Sequence, residues 1–177
     1  MKNEINLNAN DHIQGNVNAK IRMIEYGDFQ CPYCKKAYWI LKELDPEIKE
    51  NLCLVFRNYP LVELHPEALH AAVAAETTAL SGKFWEMHSM IFEHQHHLDD
   101  ASLVSYAQQI GMDIAEFEKN FGNEATVEKV RSDVESGDQY GVEGTPTFFI
   151  NGKRFEGNWM SDEFPQYLKK VIAARLA

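Results

Sequence analysis

The stretch of sequence that decides the fold is residues 24–38, IEYGDFQCPYCKKAY, which holds two cysteines separated by Pro32 and Tyr33. Branched and aromatic residues over 21–26 predict a strand directly before this pair. Over about 34–49, apolar residues recur at three- and four-residue spacing, which predicts a helix that begins at or within the cysteine pair and is kinked or ended by Pro46. The cysteines therefore lie where a strand passes into a helix.

The middle of the chain carries mainly helix signals. A buried strand is predicted over 52–59, where Pro60 closes it, and a helix follows with Pro66 as its first residue and its end at Ser81-Gly82. Further helices are predicted over 84–94, 100–110, 114–121 and 124–138, with Asp99, Asp113 and Asn123 as their N-caps.

Past Gly141 the pattern returns to strands. Residues 147–150 predict a strand, Asn151-Gly152 is the strongest short hairpin signal, and 154–155 predict the partner strand. An amphipathic helix over about 162–175 follows. The order strand, helix, strand, helical insertion, hairpin, helix predicts one α/β domain.

Composition limits the classes of function. With 177 residues, of which 45% are hydrophobic, the chain is long enough for one domain with a substantial core. A formal net charge of -10 argues against binding to nucleic acid or anionic lipid, because both depend on clustered lysines and arginines. No apolar run reaches the roughly 20 residues of a membrane helix, and residues 1–20 lack the apolar core of a signal peptide. We therefore expect no nucleic-acid partner, no membrane insertion and a cytoplasmic location, or a periplasmic one if a signal peptide has been removed.

Cys31 and Cys34 form a special local pair, because three cysteines cannot all pair within one chain and these two are separated by only two residues. Unpaired backbone N–H groups and the dipole at the start of a helix stabilise a thiolate at Cys31. Cys34 lies one turn further in and is expected to be less exposed and more basic. Thiol-disulfide exchange requires this asymmetry, with Cys31 forming the mixed disulfide and Cys34 resolving it.

Other uses of the cysteines fit the sequence less well. A zinc site needs two further ligands, from Cys53 or from His94, His96 or His97, and no histidine pair stands in a finger-like arrangement behind the cysteines. A structural disulfide closing so short a loop would contribute little chain entropy. We interpret Cys53 as a small buried hydrophobe in a strand, and the histidine-rich segment, which begins at His88, as a solvated tract at an exposed helix end. No metal and no organic cofactor is expected.

Two segments carry a resemblance to a known family. The stretch quoted above and residues 141–157, GVEGTPTFFINGKRFEG, resemble the two signature segments of the DsbA-like branch of the thioredoxin superfamily, in the same order and separated by a helical insertion of the right size. The likeness covers the chain from Ala19 onward. It implies an α/β thioredoxin fold with a helical domain inserted between the second strand and the cis-proline strand. Residues 1–62 and 141–177 would form the thioredoxin part, and 63–140 the insertion.

The resemblance also implies roles for residues near the cysteines. Pro146 is expected to form a cis peptide bond with Thr145 and to lie beside the cysteines, where the backbone of Thr145 can pair with an extended substrate peptide. Glu25 is expected beneath the active site as a proton relay to Cys34, while a solvent-facing glutamate at the end of a strand stays open as the alternative. For Asp28 a turn or capping role is expected.

Pro32 and Tyr33 are expected to tune the cysteine pair and to belong, with Thr145 and Pro146, to the substrate-binding surface. They set how many N–H groups point at Cys31, and proline removes one of these donors. The Pro-Tyr dipeptide matches the glutaredoxin active site rather than the Pro-His of the most oxidising DsbA proteins, which favours a less oxidising potential.

These features predict a monomeric or weakly dimeric thiol-disulfide oxidoreductase that acts on cysteine-containing proteins or peptides and depends on a redox-regenerating partner. The sequence leaves the direction open between oxidant, isomerase and reductant. Two other functions stay open. One is a glutathione-linked transferase or isomerase on the same fold, whose members commonly have serine in place of the first cysteine. The other is a non-catalytic peptide-binding or chaperone module.

Overall fold

A computed structural model of the chain describes residues 4–174, which form one five-stranded sheet and eight helices. The strands are β1 (His12–Gly15), β2 (Ile21–Gly27), β3 (Leu52–Asn58), β4 (Thr147–Ile150) and β5 (Lys153–Arg154). The helices are α1 (Pro32–Lys42), α2 (Pro46–Glu50), α3 (Ala68–Ala79), α4 (Phe84–Glu93), α5 (Asp100–Gln109), α6 (Ile114–Asn120), α7 (Glu124–Gln139) and α8 (Glu163–Ala174). Helices α3 to α7 lie between β3 and β4 in the chain. This is the α/β thioredoxin fold with the inserted helical region that the resemblance implied.

The sheet has the strand order β1-β3-β2-β4-β5, with β2 at its centre. β2 runs parallel to β3 and antiparallel to β4, and β1 pairs antiparallel with the outer edge of β3. Every residue of β3 is buried, as is usual for a strand that has neighbours on both sides and helices on both faces of the sheet. The parallel pair requires a crossover connection, and α1 and α2 provide it.

The helix predicted over 34–49 is two helices. α1 ends at Lys42, and Asp45 has the extended ψ of 144° that residues before proline prefer. Pro46 then occupies the first position of α2, where its missing N–H costs no helical hydrogen bond. Pro46 therefore begins a helix instead of kinking one.

Several other boundaries differ from the predictions. β1 was not predicted at all, and α3 begins at Ala68, so that Pro66 precedes the helix instead of opening it. The partner strand of the hairpin is β5 and stops one residue short of Phe155, although the Phe155 N–H still donates to the Phe148 carbonyl at 2.9 Å. The predicted end of the last helix at Arg175 lies outside the described residues.

Local sequence signals are confirmed at the turns and caps. Asn151 and Gly152 have positive φ values of 49° and 86°, as the tight hairpin turn requires. The side chains of Asp99, Asp113 and Asn123 each accept a backbone N–H in the first turn of the helix that they precede. These short polar residues satisfy donors that a helix start leaves without an intrahelical partner.

An aromatic cluster joins the inserted helices to the thioredoxin part of the molecule. Its members are Phe29, Tyr38 and Phe56 from the thioredoxin part and Phe84, His88 and Phe92 from α4. The ring of Phe92 lies 5.0 Å from that of Phe29 and 5.5 Å from that of Tyr38, measured between centroids. His88 is therefore buried in the core, and its assignment to a solvated histidine tract is wrong.

We predict that Phe92→Ala lowers the free energy of unfolding by about 3–5 kcal/mol, because it leaves a cavity between the helical region and the sheet. Urea unfolding followed by circular dichroism measures the change. The matched control is Leu80→Ala at the end of α3, where the side chain is 55% exposed and the expected change is within about 0.5 kcal/mol. Equal effects for the two variants would contradict the packing described here.

Candidate active site

The turn from β2 into α1 is built around the buried carboxylate of Asp28. Its Oδ1 accepts the N–H groups of Gln30 at 2.7 Å and Cys31 at 3.1 Å. Its Oδ2 accepts the Leu61 N–H at 2.8 Å and lies 2.8 Å from Nδ1 of His65. Of the turn or capping role expected for Asp28, the turn role is confirmed, because both N–H groups that Oδ1 accepts precede the first helical residue. The same carboxylate also holds the segment that follows β3.

Cys31 is the N-cap of α1, with Pro32 as the first helical residue. The pKa of Cys31 is lowered to about 5, chiefly by a hydrogen bond from the Cys34 thiol. Burial opposes this shift, while the N–H groups of Cys34 and Tyr33 and the side chain of Thr145 reinforce it. The sequence predicted the backbone contribution, but the strongest single donor is the neighbouring thiol.

Cys34 has the opposite environment. It is fully buried, and its Sγ accepts the N–H of Asp28 at 3.4 Å. Burial raises its pKa well above that of an ordinary thiol, and its hydrogen bond to Cys31 and the charges of Glu25 and Cys31 raise it further. Both cysteines are free thiols, so the structure describes the dithiol form, with one acidic and one basic sulfur.

Glu25 lies in β2, paired with Phe56 of β3 and Phe148 of β4. Its side chain is buried, so the alternative of a solvent-facing glutamate is wrong. Burial raises its pKa to about 8, and the negative charge on Cys31 adds to this effect. A carboxyl group with such a pKa exchanges its proton near neutral pH.

Glu25 lines a cavity of about 350 Å³ together with Tyr38, Trp85 and His88. Nε1 of Trp85 and Nε2 of His88 are buried and have no hydrogen-bond partner among residues 4–174. Burial lowers the pKa of His88 to about 3, with a smaller contribution from His12, so its imidazole is neutral. The cavity is large enough and polar enough to hold water beside the Glu25 carboxyl group.

The segment before β4 completes the site. The peptide bond between Thr145 and Pro146 is cis, as expected, and the Cys31 thiol lies 3.4 Å from the Thr145 carbonyl oxygen. β4 follows at once and pairs with β2, which places this segment beside the cysteines. Pro32 and Tyr33 are exposed at the start of α1, Tyr33 by 53%. Of the residues predicted from sequence, Cys34, Tyr33 and Thr145 therefore meet at the Cys31 sulfur.

Sequence reasoning missed a contact between the helical region and the cysteine loop, which we define as residues 28–31 between β2 and α1. Gln95, in the turn after α4, donates from Nε2 to the carbonyls of Phe29 and Cys31, both at 2.8 Å. Gln95 lies inside the histidine-rich segment, and nothing in its spacing marks it. Cys53 is buried in β3 as expected.

The three histidines around Gln95 are exposed: His94, His96 and His97. Between residues 4 and 174, no group of three or more histidine, cysteine, aspartate or glutamate side chains is arranged to hold a metal ion.

We predict that Cys34→Ala raises the pKa of Cys31 from about 5 toward the ordinary value of 9.0, because it removes the strongest donor to the thiolate. Cys34→Ser is the matched control, since its hydroxyl can still donate, and should give a smaller rise. The measurement is the rate of Cys31 alkylation by iodoacetamide against pH, which falls as pH drops through the pKa. A pKa of Cys31 that stays near 5 in Cys34→Ala would exclude the thiol as the main donor.

We also predict that Glu25→Gln stabilises the dithiol protein at alkaline pH. The folded pKa of about 8 lies above the ordinary 4.5, so the contribution of Glu25 to stability is most favourable below pH 4.5 and is lost as pH rises through 8. Glutamine carries no charge to desolvate, and its advantage should grow over this range to several kcal/mol. Urea unfolding at pH 5 and pH 8 in reducing buffer measures it. The exposed Glu86→Gln should show no such trend, and a pH-independent difference for Glu25→Gln would refute the prediction.

The chain matches a protein-family model and solved structures of similar fold. Residues 7–170 match the family model described as Thioredoxin. Among solved structures, the thiol-disulfide exchange protein alpha-DsbA2 from Wolbachia pipientis superposes with a TM-score of 0.79 at 22% identity, over 96% of this chain and 88% of that one. A thioredoxin-like oxidoreductase from Silicibacter pomeroyi DSS-3 gives a TM-score of 0.80 at 23% identity, over 96% and 95% of the two chains.

Curated relatives are similar over only part of their length. The chain is 39% identical over 149 residues to the Na(+)/H(+) antiporter NhaA 1 of Salinispora arenicola, which is 84% of this chain and 23% of that protein. It is 37% identical over 151 residues to the protein of the same name from Mycolicibacterium gilvum, 84% of this chain and 24% of that one. The chain thus spans about a quarter of the length of these relatives. Over residues 4–174, none of its own helices is both long and apolar enough to cross a membrane.

Proposed function

Since the chain belongs to the thioredoxin family and has a DsbA-like fold, we propose that it is a thiol-disulfide oxidoreductase with Cys31 as nucleophile and Cys34 as resolving thiol. The observation that carries the proposal is the opposed acidity of the two sulfurs, with the pKa of Cys31 lowered to about 5 and that of Cys34 raised. Only a thiolate attacks a disulfide, so near neutral pH Cys31 reacts first and Cys34 waits as a thiol.

The reaction is two successive exchanges at sulfur. The Cys31 thiolate attacks a substrate disulfide, forms a mixed disulfide and releases one substrate thiolate. Cys34 then loses its proton and attacks the Cys31 sulfur, which releases the second substrate thiolate and leaves a Cys31–Cys34 disulfide. Run backwards, the same steps oxidise a substrate dithiol, so the direction depends on the redox-regenerating partner.

Glu25 is proposed to take the proton from Cys34. While Cys31 is a thiolate, its charge helps to hold the pKa of Glu25 at about 8 and keeps the carboxyl group protonated. The sulfur of Cys31 becomes neutral in the mixed disulfide, and this contribution disappears. The carboxyl group then ionises more readily at the moment when Cys34 must lose its proton. The cavity beside Glu25 gives that proton a polar path away from the sulfur.

The substrate is proposed to be a cysteine-containing protein or peptide bound in extended form. Thr145 and Pro146 would present backbone to it as a strand edge does, next to the Cys31 sulfur. Exposed Pro32 and Tyr33 would contact it on the other side of that sulfur. The alpha-DsbA2 neighbour, described as a thiol-disulfide exchange protein, supports this substrate class by analogy of fold.

The two other candidate functions are less well supported. A glutathione-linked transferase of this fold would not need the second cysteine, whereas here Cys34 supplies the strongest donor to Cys31. A peptide-binding module without catalysis would not need an activated thiolate at all. No specific contact in the site favours either function.

The proposal is tested with a disulfide-containing peptide and the reduced protein. Cys31→Ser should reduce exchange to the uncatalysed rate, and Cys34→Ser should accumulate a mixed disulfide at Cys31, visible by mass spectrometry without reductant. Cys53→Ala is the control and should exchange at nearly the wild-type rate, because that thiol is buried in β3. Full activity in Cys31→Ser would overturn the proposal, and conjugation of glutathione to an electrophile by the wild type would favour the transferase.

The redox potential follows from the same thiolate. Stabilising the Cys31 thiolate stabilises the dithiol form and makes the disulfide more oxidising. Its pKa of about 5 lies between about 7 for thioredoxin and about 3.5 for DsbA. We therefore predict a potential between about -270 mV and about -120 mV, measured by equilibration in glutathione buffers. A potential outside this interval would contradict a pKa of about 5 for Cys31.

A further inference from the structure

The Gln95 side chain bridges the helical region and the backbone of the cysteine loop. The two N–H bonds of its Nε2 are directed to two acceptors, the carbonyl of Phe29 and the carbonyl of Cys31, each at 2.8 Å. These carbonyls flank Gln30, so one amide group fixes the chain on both sides of the residue that precedes the nucleophile. The side chain is only 9% exposed, and water competes little for these bonds.

The Cys31 carbonyl has a second partner in the first turn of α1, because it also accepts the Lys35 N–H at 3.2 Å. Its orientation therefore fixes the peptide plane that leads into Pro32. Beyond that plane come the N–H groups of Tyr33 and Cys34 at the start of α1, which help to lower the pKa of Cys31. A bond to this carbonyl thus acts on the geometry of the donors around the sulfur.

The opposite side of the same loop is held by other contacts. Asp28 binds the Leu61 N–H, and the Glu67 N–H donates to Oε1 of Gln30 at 2.7 Å. Those bonds come from the segment between β3 and α3, whereas Gln95 reaches the loop from the far end of α4. The cysteine loop is therefore hydrogen-bonded on one side to the segment before α3 and on the other side to the turn after α4.

We propose that Gln95 is a positioning residue, which holds the Phe29 and Cys31 carbonyls so that the Tyr33 and Cys34 N–H groups face the Cys31 sulfur. The inference rests on the proposed function, since it concerns the same nucleophile. It gives the helical insertion a part in the reactivity of Cys31. Gln95 does not touch the substrate or the reacting sulfur atoms and acts only through the backbone.

The test compares Gln95→Leu, which keeps the bulk but has no donor, with Gln95→Asn, whose amide is one methylene too short to reach both carbonyls. The matched control is Gln109→Leu, which removes a 3.2 Å bond to Ser105 on the exposed face of α5. In the reduced form of each 177-residue variant, the rate of Cys31 alkylation by iodoacetamide is measured against pH, and thermal unfolding is recorded beside it.

We expect the midpoint of Cys31 alkylation to move to higher pH in both Gln95 variants. At a fixed pH below the midpoint, the alkylation rate should fall about tenfold for every pH unit by which the midpoint rises. Gln109→Leu should keep the wild-type midpoint. Gln95 variants that unfold at lower temperature but keep the wild-type midpoint would overturn the proposal, since that result marks a purely structural side chain. If Gln95→Leu does not fold, the midpoint of Gln95→Asn decides in the same way.

The same data separate this inference from the proposed function. A wild-type midpoint near that of an ordinary thiol would overturn the proposed function and the role of Gln95 together. A low wild-type midpoint that both Gln95 variants share would overturn only the role of Gln95.

Discussion

The site depends on one buried carboxylate whose hydrogen-bonding capacity is filled. A buried charged carboxylate is costly unless donors surround it, and Asp28 has three backbone N–H groups and the His65 imidazole within 3.1 Å. These partners come from the turn before α1 and from the segment after β3. Because the carboxylate needs all of them, the two segments are fixed relative to each other. The start of α1 and the carbonyls that Gln95 binds both belong to the turn that this arrangement fixes.

Around this turn, burial in apolar surroundings shifts the pKa values of acidic and basic groups in opposite directions. Burial raises the pKa of Cys34 and Glu25 and lowers that of His88, and in each case the neutral form is favoured. Cys31 is buried as well, yet its pKa falls, because donors converge on its sulfur and outweigh the loss of water. The helical region contributes His88 and Phe92 to the apolar surroundings. Among Cys31, Cys34, Glu25 and His88, burial thus leaves the negative charge on the Cys31 sulfur.

Much of this architecture could be predicted because local chemistry encodes it. The caps at Asp99, Asp113 and Asn123, the Asn151-Gly152 turn and the start of α1 at a proline depend on neighbouring residues. The burial of His88 could also have been predicted, since it lies four residues from Phe84 and four from Phe92, on one face of α4. Grouping it with the histidines that follow it in sequence hid that pattern.

Other features depend on partners far along the chain. β1 has two half-buried and two exposed residues, and its strand conformation comes from pairing with β3, so its sequence has little strand signal. The chain just before it is held by Arg57, which donates to both carboxylate oxygens of Asp11. Residues of α1 and α4 line the cavity beside Glu25, and the bonds of Gln95 span more than sixty residues. Because the two partners of each contact lie far apart in the sequence, no local sequence pattern predicts these contacts.

The place of Cys53 in the sheet has a practical consequence for the chemistry of the whole molecule. Its side chain has no accessible surface, and burial raises its pKa, so the folded protein offers this sulfur to neither oxidants nor other thiols. A chain with an odd number of cysteines is normally prone to cross-link between copies or to shuffle its own bonds. Here the folded protein behaves as if it had two thiols, and the third becomes reactive only when β3 leaves the sheet.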